Sequence, residues 1–155
     1  MKKIFVPTVA VVAALFLSGS IAYGQGRAKN GPDPSAIRDI DLEKDSLHNL
    51  EVARHYFKLK KAYVAALMRC EEIDAGNPNF AKMDEVLYIA GESSLRLAEN
   101  RGKQKSKGKT AEELKQDARV YLTRLVAGYP KSAFFKQAET DLAALGGPIK
   151  LENKP

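Results

Sequence analysis

Ala66-Leu-Met-Arg-Cys-Glu-Glu-Ile-Asp-Ala-Gly-Asn-Pro78 and Ala118-Arg-Val-Tyr-Leu-Thr-Arg-Leu-Val-Ala-Gly-Tyr-Pro130 lie 52 residues apart and follow one plan. The alanines that open them coincide, Cys70 falls on Leu122, Ile73 falls on Leu125, and Ala-Gly-x-Pro closes both. Within each, small and apolar residues recur every three or four positions, the rhythm of an amphipathic helix. Each then ends on a glycine followed two residues later by a proline, which cannot continue a helix. A helix that recurs together with its stop signal is the mark of stacked helical hairpins.

The same rhythm runs outward in both directions. Leu47, Leu50, Ala53 and Phe57 form one stripe, and Tyr63, Ala66, Cys70 and Ile73 a second. Met83, Leu87, Ala90 and Leu97 form a third. Leu114, Ala118, Tyr121, Leu122 and Leu125 form a fourth, and Phe135, Ala138, Leu142 and Leu145 a fifth. Thr110-Ala-Glu-Glu113 reads as a capping box, and Gly146-Gly147-Pro148 as a terminator. Five helices are expected, over about 39–59, 61–75, 82–99, 110–127 and 132–145. No stretch beyond the N-terminal leader alternates like a strand.

The spacing fits the tetratricopeptide rule, in which a small residue and an aromatic precede Ala, a large apolar residue and Pro over about 34 residues. With Phe57 as the first aromatic, Tyr63, Ala66, Cys70, Ile73 and Pro78 take the positions of the second helix, and the small residue is Ala53, one place out. The second unit has Ala90 and Gly91, then Ala118, Leu122, Leu125, Tyr129 and Pro130. Gly91 to Ala118 spans 27 residues where the rule expects about 12, so an insertion accounts for the longer offset. The expected fold is all-α: a short tetratricopeptide-like α-solenoid of two and a half hairpins.

Ala53-Arg-His-Tyr-Phe-Lys-Leu-Lys-Lys-Ala-Tyr-Val-Ala-Ala66 resembles the opening repeat of BamD-like (YfiO-type) envelope proteins. Leu125-Val-Ala-Gly-Tyr-Pro-Lys-Ser-Ala-Phe134 is similar to their Tyr-Pro-x-Ser junction. The likeness covers about 46–146. It implies a tetratricopeptide scaffold of the outer-membrane assembly machinery. The chain departs from that family in lacking a lipidation cysteine, in having about half as many repeats, and in carrying Asn77 where the first junction has Tyr.

Residues 1–24 read as a secretory signal peptide. Lys2 and Lys3 precede an apolar run, Ile4–Leu17, and then the small residues Ser18 to Gly24. The run is shorter than the roughly 20 residues of a spanning helix, so cleavage near Gln25 is the favoured reading and an uncleaved anchor the alternative. Residues 25–38 read as a flexible tether, 39–146 as the repeat domain, and 147–155 as a tail. This leader implies export to the periplasm or the outer-membrane periphery, without anchorage through a cysteine.

Composition narrows the function classes. Hydrophobic residues make up 45% and charged residues 28% of the 155, the balance of a globular chain rather than a collagen-like, disordered or multi-span one. One cysteine and two histidines leave little for disulfide, metal or acid–base chemistry, and no nucleotide or hydrolase fingerprint occurs. A non-catalytic adaptor without cofactor or metal is therefore expected, binding a protein or peptide in the envelope. The alternatives are a structural subunit that stacks on itself or on a larger complex, and a docking accessory of an enzyme.

Candidate partner contacts are His48, Glu51 and His55 on the first helix, and Tyr88, Glu92 and Arg96 on the matching stripe of the third. In tetratricopeptide hairpins these stripes line the concave face. His48 and His55 are about 10.5 Å apart along a helix axis, too far to share an ion. Cys70 occupies a large-apolar position and reads as a buried hydrophobe.

The leader holds two of the 25 basic residues and none of the 19 acidic ones, so its removal leaves a net charge of +4. The insertion 101–109 holds five of the remaining basic residues, Arg101, Lys103, Lys105, Lys107 and Lys109, and no acid. Without it the balance is 18 against 19. It reads as a flexible solvated loop, or as a contact for an acidic partner or an anionic membrane surface. With no aromatic to stack on bases, it gives nucleic acid little to bind.

Overall fold

A computed structural model describes residues 39–106 and 108–151, which belong to one compact unit, Asp33–Pro155. The expected signal peptide and tether, Lys107 and residues 152–155 lie outside the described residues. The described residues are all-helical: α1 (Ile40–Arg54), α2 (Tyr63–Gly76), α3 (Met83–Ala98), α4 (Ala111–Gly128) and α5 (Phe135–Ala144). None of these is long and apolar enough to cross a membrane.

The helix ends follow from local chemistry. The Asp39 carboxylate accepts the N–H groups of Asp41 and Leu42 at 2.9 and 3.2 Å and starts α1. Thr110 and Glu113 form the reciprocal capping box at the head of α4. α5 closes in a Schellman arrangement, with Gly147 N–H donating to Leu142 and Gly146 N–H to Ala143. α3 closes the same way, through Arg101 to Arg96 and Asn100 to Leu97, with Asn100 in the left-handed region usually given to glycine.

Two expected boundaries move. The first helix does not run on as α-helix past Arg54: His55–Lys60 is a π-helical turn, ended by Lys61 at φ 50°. The last helix begins at Phe135 rather than near 132, because the Ser132 hydroxyl accepts Phe134 N–H at 3.1 Å and donates to Asp84 at 2.7 Å.

The 52-residue offset seen in the sequence is also an offset in backbone geometry. Asn77 N–H donates to Ile73 and Tyr129 N–H to Leu125, both at 2.8 Å. Phe80 then donates to Asn77 and Ser132 to Tyr129, both at 3.0 Å. Met83 to Phe80 and Phe135 to Ser132 complete the turn at 3.1 and 3.2 Å. Burial repeats with it: Ala66 and Ala118 are fully covered, as are Cys70 and Leu122, and Ile73 and Leu125.

Consecutive helices pack against one another, most extensively α3 with α4 and α2 with α3. Arg54 joins α1 to α3 by a two-pronged pair with Glu85 at 2.6 and 2.5 Å. Arg124 joins α4 to α2 through both Asp74 oxygens at 2.6 Å. α3 lies at the centre, buried without interruption from Ile89 to Ser94. Its small residues permit that: a Cβ on Gly91 would sit 2.7 Å from the Leu122 side chain. In the outermost α1, Leu50 and Ala53 are buried and Phe57 beyond it is half-buried, whereas Leu47 stays 37% exposed. The expected stripe is thus narrower, because α1 is covered along one edge.

The basic insertion has contacts that the sequence reading did not expect. Residues 101–105 are exposed, as in a solvated loop, but this first half is fastened to α2. Lys103 N–H donates to the Lys61 carbonyl at 3.1 Å. The Gln104 side chain accepts Ala65 N–H at 3.2 Å, supplying the cap that Ala62 cannot. Gly102, at φ +93°, passes so close that a Cβ would lie 2.6 Å from the Lys61 oxygen and the Tyr63 ring. The segment after α5 is fastened too. Arg119 donates to the Gly147 carbonyl at 3.0 and 3.1 Å, and Thr123 accepts Ile149 N–H at 3.2 Å, which lays the tail along α4.

Candidate partner-binding surface

The stripe on α1 is open. His48, Glu51 and the first residue of the π-helical turn, His55, are all exposed. The His55 ring meets Tyr56 edge-on at 6.2 Å. Beside them lie the exposed apolar side chains of Leu47 and Leu59.

The matching stripe on α3 is not open. Tyr88 is half-buried and stacks on Phe134 with centroids 4.7 Å apart. Glu92 is only 7% exposed and accepts from Arg96 at 2.7 and 3.0 Å. The Arg96 guanidinium lies over the Phe57 ring at 5.1 Å and the Tyr63 ring at 5.5 Å, a cation–π arrangement. Phe57 and Tyr63 meet edge-to-face at 5.6 Å. Arg96 thus ties the π-helical turn and α2 to α3, while Glu92 reaches the Asp141 carboxyl on α5.

The electrostatics of this cluster are those of an interior. Burial, with the neighbouring Asp141 carboxyl, pushes the Glu92 carboxyl above its usual range against the pull of Arg96. Burial and the charges of Glu92 and Asp141 raise the Tyr88 phenol. At the edge nearer α1 the Arg54 guanidinium holds Glu85 below the carboxylate range. Among the described residues no group of three or more His, Cys, Asp or Glu could hold a metal ion. Cys70 is buried, and burial pushes its thiol up.

Two basic residues of the insertion are engaged in ion pairs. Arg101 reaches Glu99 at 3.2 Å and Lys109 reaches Asp117 at 2.6 Å. Lys103 and Lys105 are exposed without an ion pair among the described residues, and Lys107 lies outside them. The insertion instead forms one wall of a half-open groove of about 580 Å³ against α2, α3 and α4.

Several structural roles escaped the sequence reading. Asn77, which stands where the other junction has Tyr129, is buried and donates to Ser46 at 3.1 Å. It anchors the first junction to α1, as Ser132 anchors the second to α3 through Asp84. Phe134 was in plain view beside the Tyr-Pro-x-Ser junction, but Asp141 reads as one charge among many on α5. Comparison of this chain with protein-family models, with curated proteins and with solved structures finds no match.

Proposed function

We propose that this chain is an exported tetratricopeptide adaptor of the cell envelope, of BamD-like kind, that binds a protein or extended peptide and carries out no chemistry. The observation that carries the repeat reading is the junction hydrogen-bond scheme reproduced 52 residues on, with the same residues buried around it. Neighbouring hairpins built alike form a continuous face, which is how such arrays bind. The binding stripe is His48, Glu51 and His55, because Glu92 and Arg96 are committed to each other. The leader supports export.

Photo-crosslinking residues placed at 48 and 55 test the reading in the native envelope. A discrete adduct from both, absent when the crosslinker sits at exposed Glu139 on α5, is the expected result. No adduct, or the same adducts from all three positions, overturns it. Export is checked by fractionation and N-terminal sequencing, with a start near 23 or 25 expected. Exposed Ile40, Leu42 and Leu47 on α1 favour one second reading, a subunit that stacks through that end of the array. Light scattering that gives a dimer or larger, and a monomer for Leu47→Glu, would support it over the lone adaptor.

A further inference from the structure

The groove beside the insertion has features that helix packing does not require. Its apolar lining comes from Val64, Leu67 and Met68 on α2, Leu97 on α3 and Leu114 on α4. Met68 is 53% exposed there, with its flexible thioether turned to the open side of a protein that otherwise covers α2's large apolar residues. A concave, mostly apolar site of about 580 Å³ with a few polar groups at its edge has the dimensions and lining of a small-molecule site.

The insertion supplies the polar edge. A hairpin connection needs only a few residues, yet this one is longer and is held against α2 by the Lys103, Gln104 and Gly102 contacts. Those contacts place Lys105 on the rim. Lys109 also lines the groove but is engaged by Asp117 at 2.6 Å. Lys105 has no such partner among the described residues, so one unpaired cation stands beside the apolar lining, while Glu71, the carboxylate of the groove, accepts from the Tyr121 hydroxyl at 3.3 Å.

From this pairing we infer that the groove binds a single linear anionic amphiphile of the fatty-acid type. Its chain lies along Met68, Leu67 and Leu97, and its carboxylate meets the Lys105 ammonium. The chain leaves water for the apolar lining, and the head group gains a charge-assisted hydrogen bond from Lys105. This site lies apart from the α1 stripe and does not depend on the adaptor reading.

Titration calorimetry with the full chain and laurate, below the concentration at which it forms micelles, tests the inference. Dodecyl maltoside and dodecyltrimethylammonium serve as neutral and cationic probes of the same chain length. One laurate per chain is expected, with the neutral and cationic probes weaker by about tenfold or more. Lys105→Glu should lower laurate affinity by roughly tenfold, and Met68→Glu should lose binding. Both residues are exposed, and unchanged circular dichroism verifies the fold of each variant. Equal binding of the three probes, or laurate binding that neither substitution alters, overturns the inference. Adsorption to phosphatidylglycerol vesicles without uptake of monomeric laurate also overturns it, in favour of a charged surface contact.

Discussion

Gly102 and Gly108 sit in the same insertion at nearly the same backbone angle, φ +93° and +95°, yet they answer to different constraints. A Cβ on Gly108 meets nothing within 4 Å, whereas on Gly102 it would strike the Lys61 carbonyl and the Tyr63 ring. Gly102→Ala should therefore cost about 1–3 kcal/mol through strain and lost docking, and Gly108→Ala about 1 kcal/mol. Urea midpoints measure the difference, and faster hydrogen exchange at the Ala65 amide would locate it. Glu92 gives a prediction in pH. Its carboxyl is raised by burial, so the folded state binds a proton more readily than the unfolded chain does. Its burial penalty is full above the raised folded pKa and vanishes below the ordinary carboxylate range. Lowering the pH from neutrality toward that range should therefore increase stability. Arg96, Asp141, Tyr63 and Tyr88 surround the group, and Glu92→Gln keeps the acceptor for Arg96 while removing the titration. Midpoints measured over that range should rise in the parent and stay flat in the variant. Glu85 works in the opposite sense, since Arg54 lowers its pKa, and its contribution is lost only at still lower pH.

At the scale of the element, the crossing of α3 and α4 is set by small residues. Gly91 faces Ala118 and Leu122, and Ala118 is fully buried. Ala118→Leu should destabilise by roughly 1–3 kcal/mol by overpacking that crossing, as should Ala66→Leu at its counterpart in α2. Thermal melts check both, and an unchanged midpoint in each would separate the repeat in sequence from any repeat in packing. These helices were legible because their signals are local. Thr110 and Glu113 are one turn apart, Gly76 and Gly128 end the runs they follow, and Ala66 and Ala118 occupy equivalent steps. The fastening of the insertion was not legible. Gln104 caps α2 from 39 residues away, and no periodicity encodes which helix N-terminus a distant amide will reach. Glu92 misled for a related reason. Its pairing with Arg96 is visible at i,i+4, but its burial depends on Asp141 and on the rings of Phe57 and Tyr63 that hold Arg96 in place.

At the scale of the whole molecule, the two ends of the described helical chain are finished differently. After α5 the chain runs back along α4, with Gly147 held by Arg119 and Ile149 by Thr123. It thereby covers part of the α4 surface. A chain truncated after Leu145 should melt lower and associate in a concentration-dependent way, which light scattering at two concentrations would register. The opposite end presents α1 with Ile40, Leu42 and Leu47 exposed, so any stacking of intact chains should proceed from there. Between the ends lies Cys70, the chain's only thiol, fully covered where α2 meets its neighbours. That makes the protein its own stopwatch. A thiol-specific reagent can react only when this part of the structure opens, and then only once per chain. In the limit of slow labelling the rate reports the free energy of that opening, and in the limit of fast labelling its speed. The opening of the core around Cys70 can thus be timed in unaltered protein by mass, without a dye or an added cysteine.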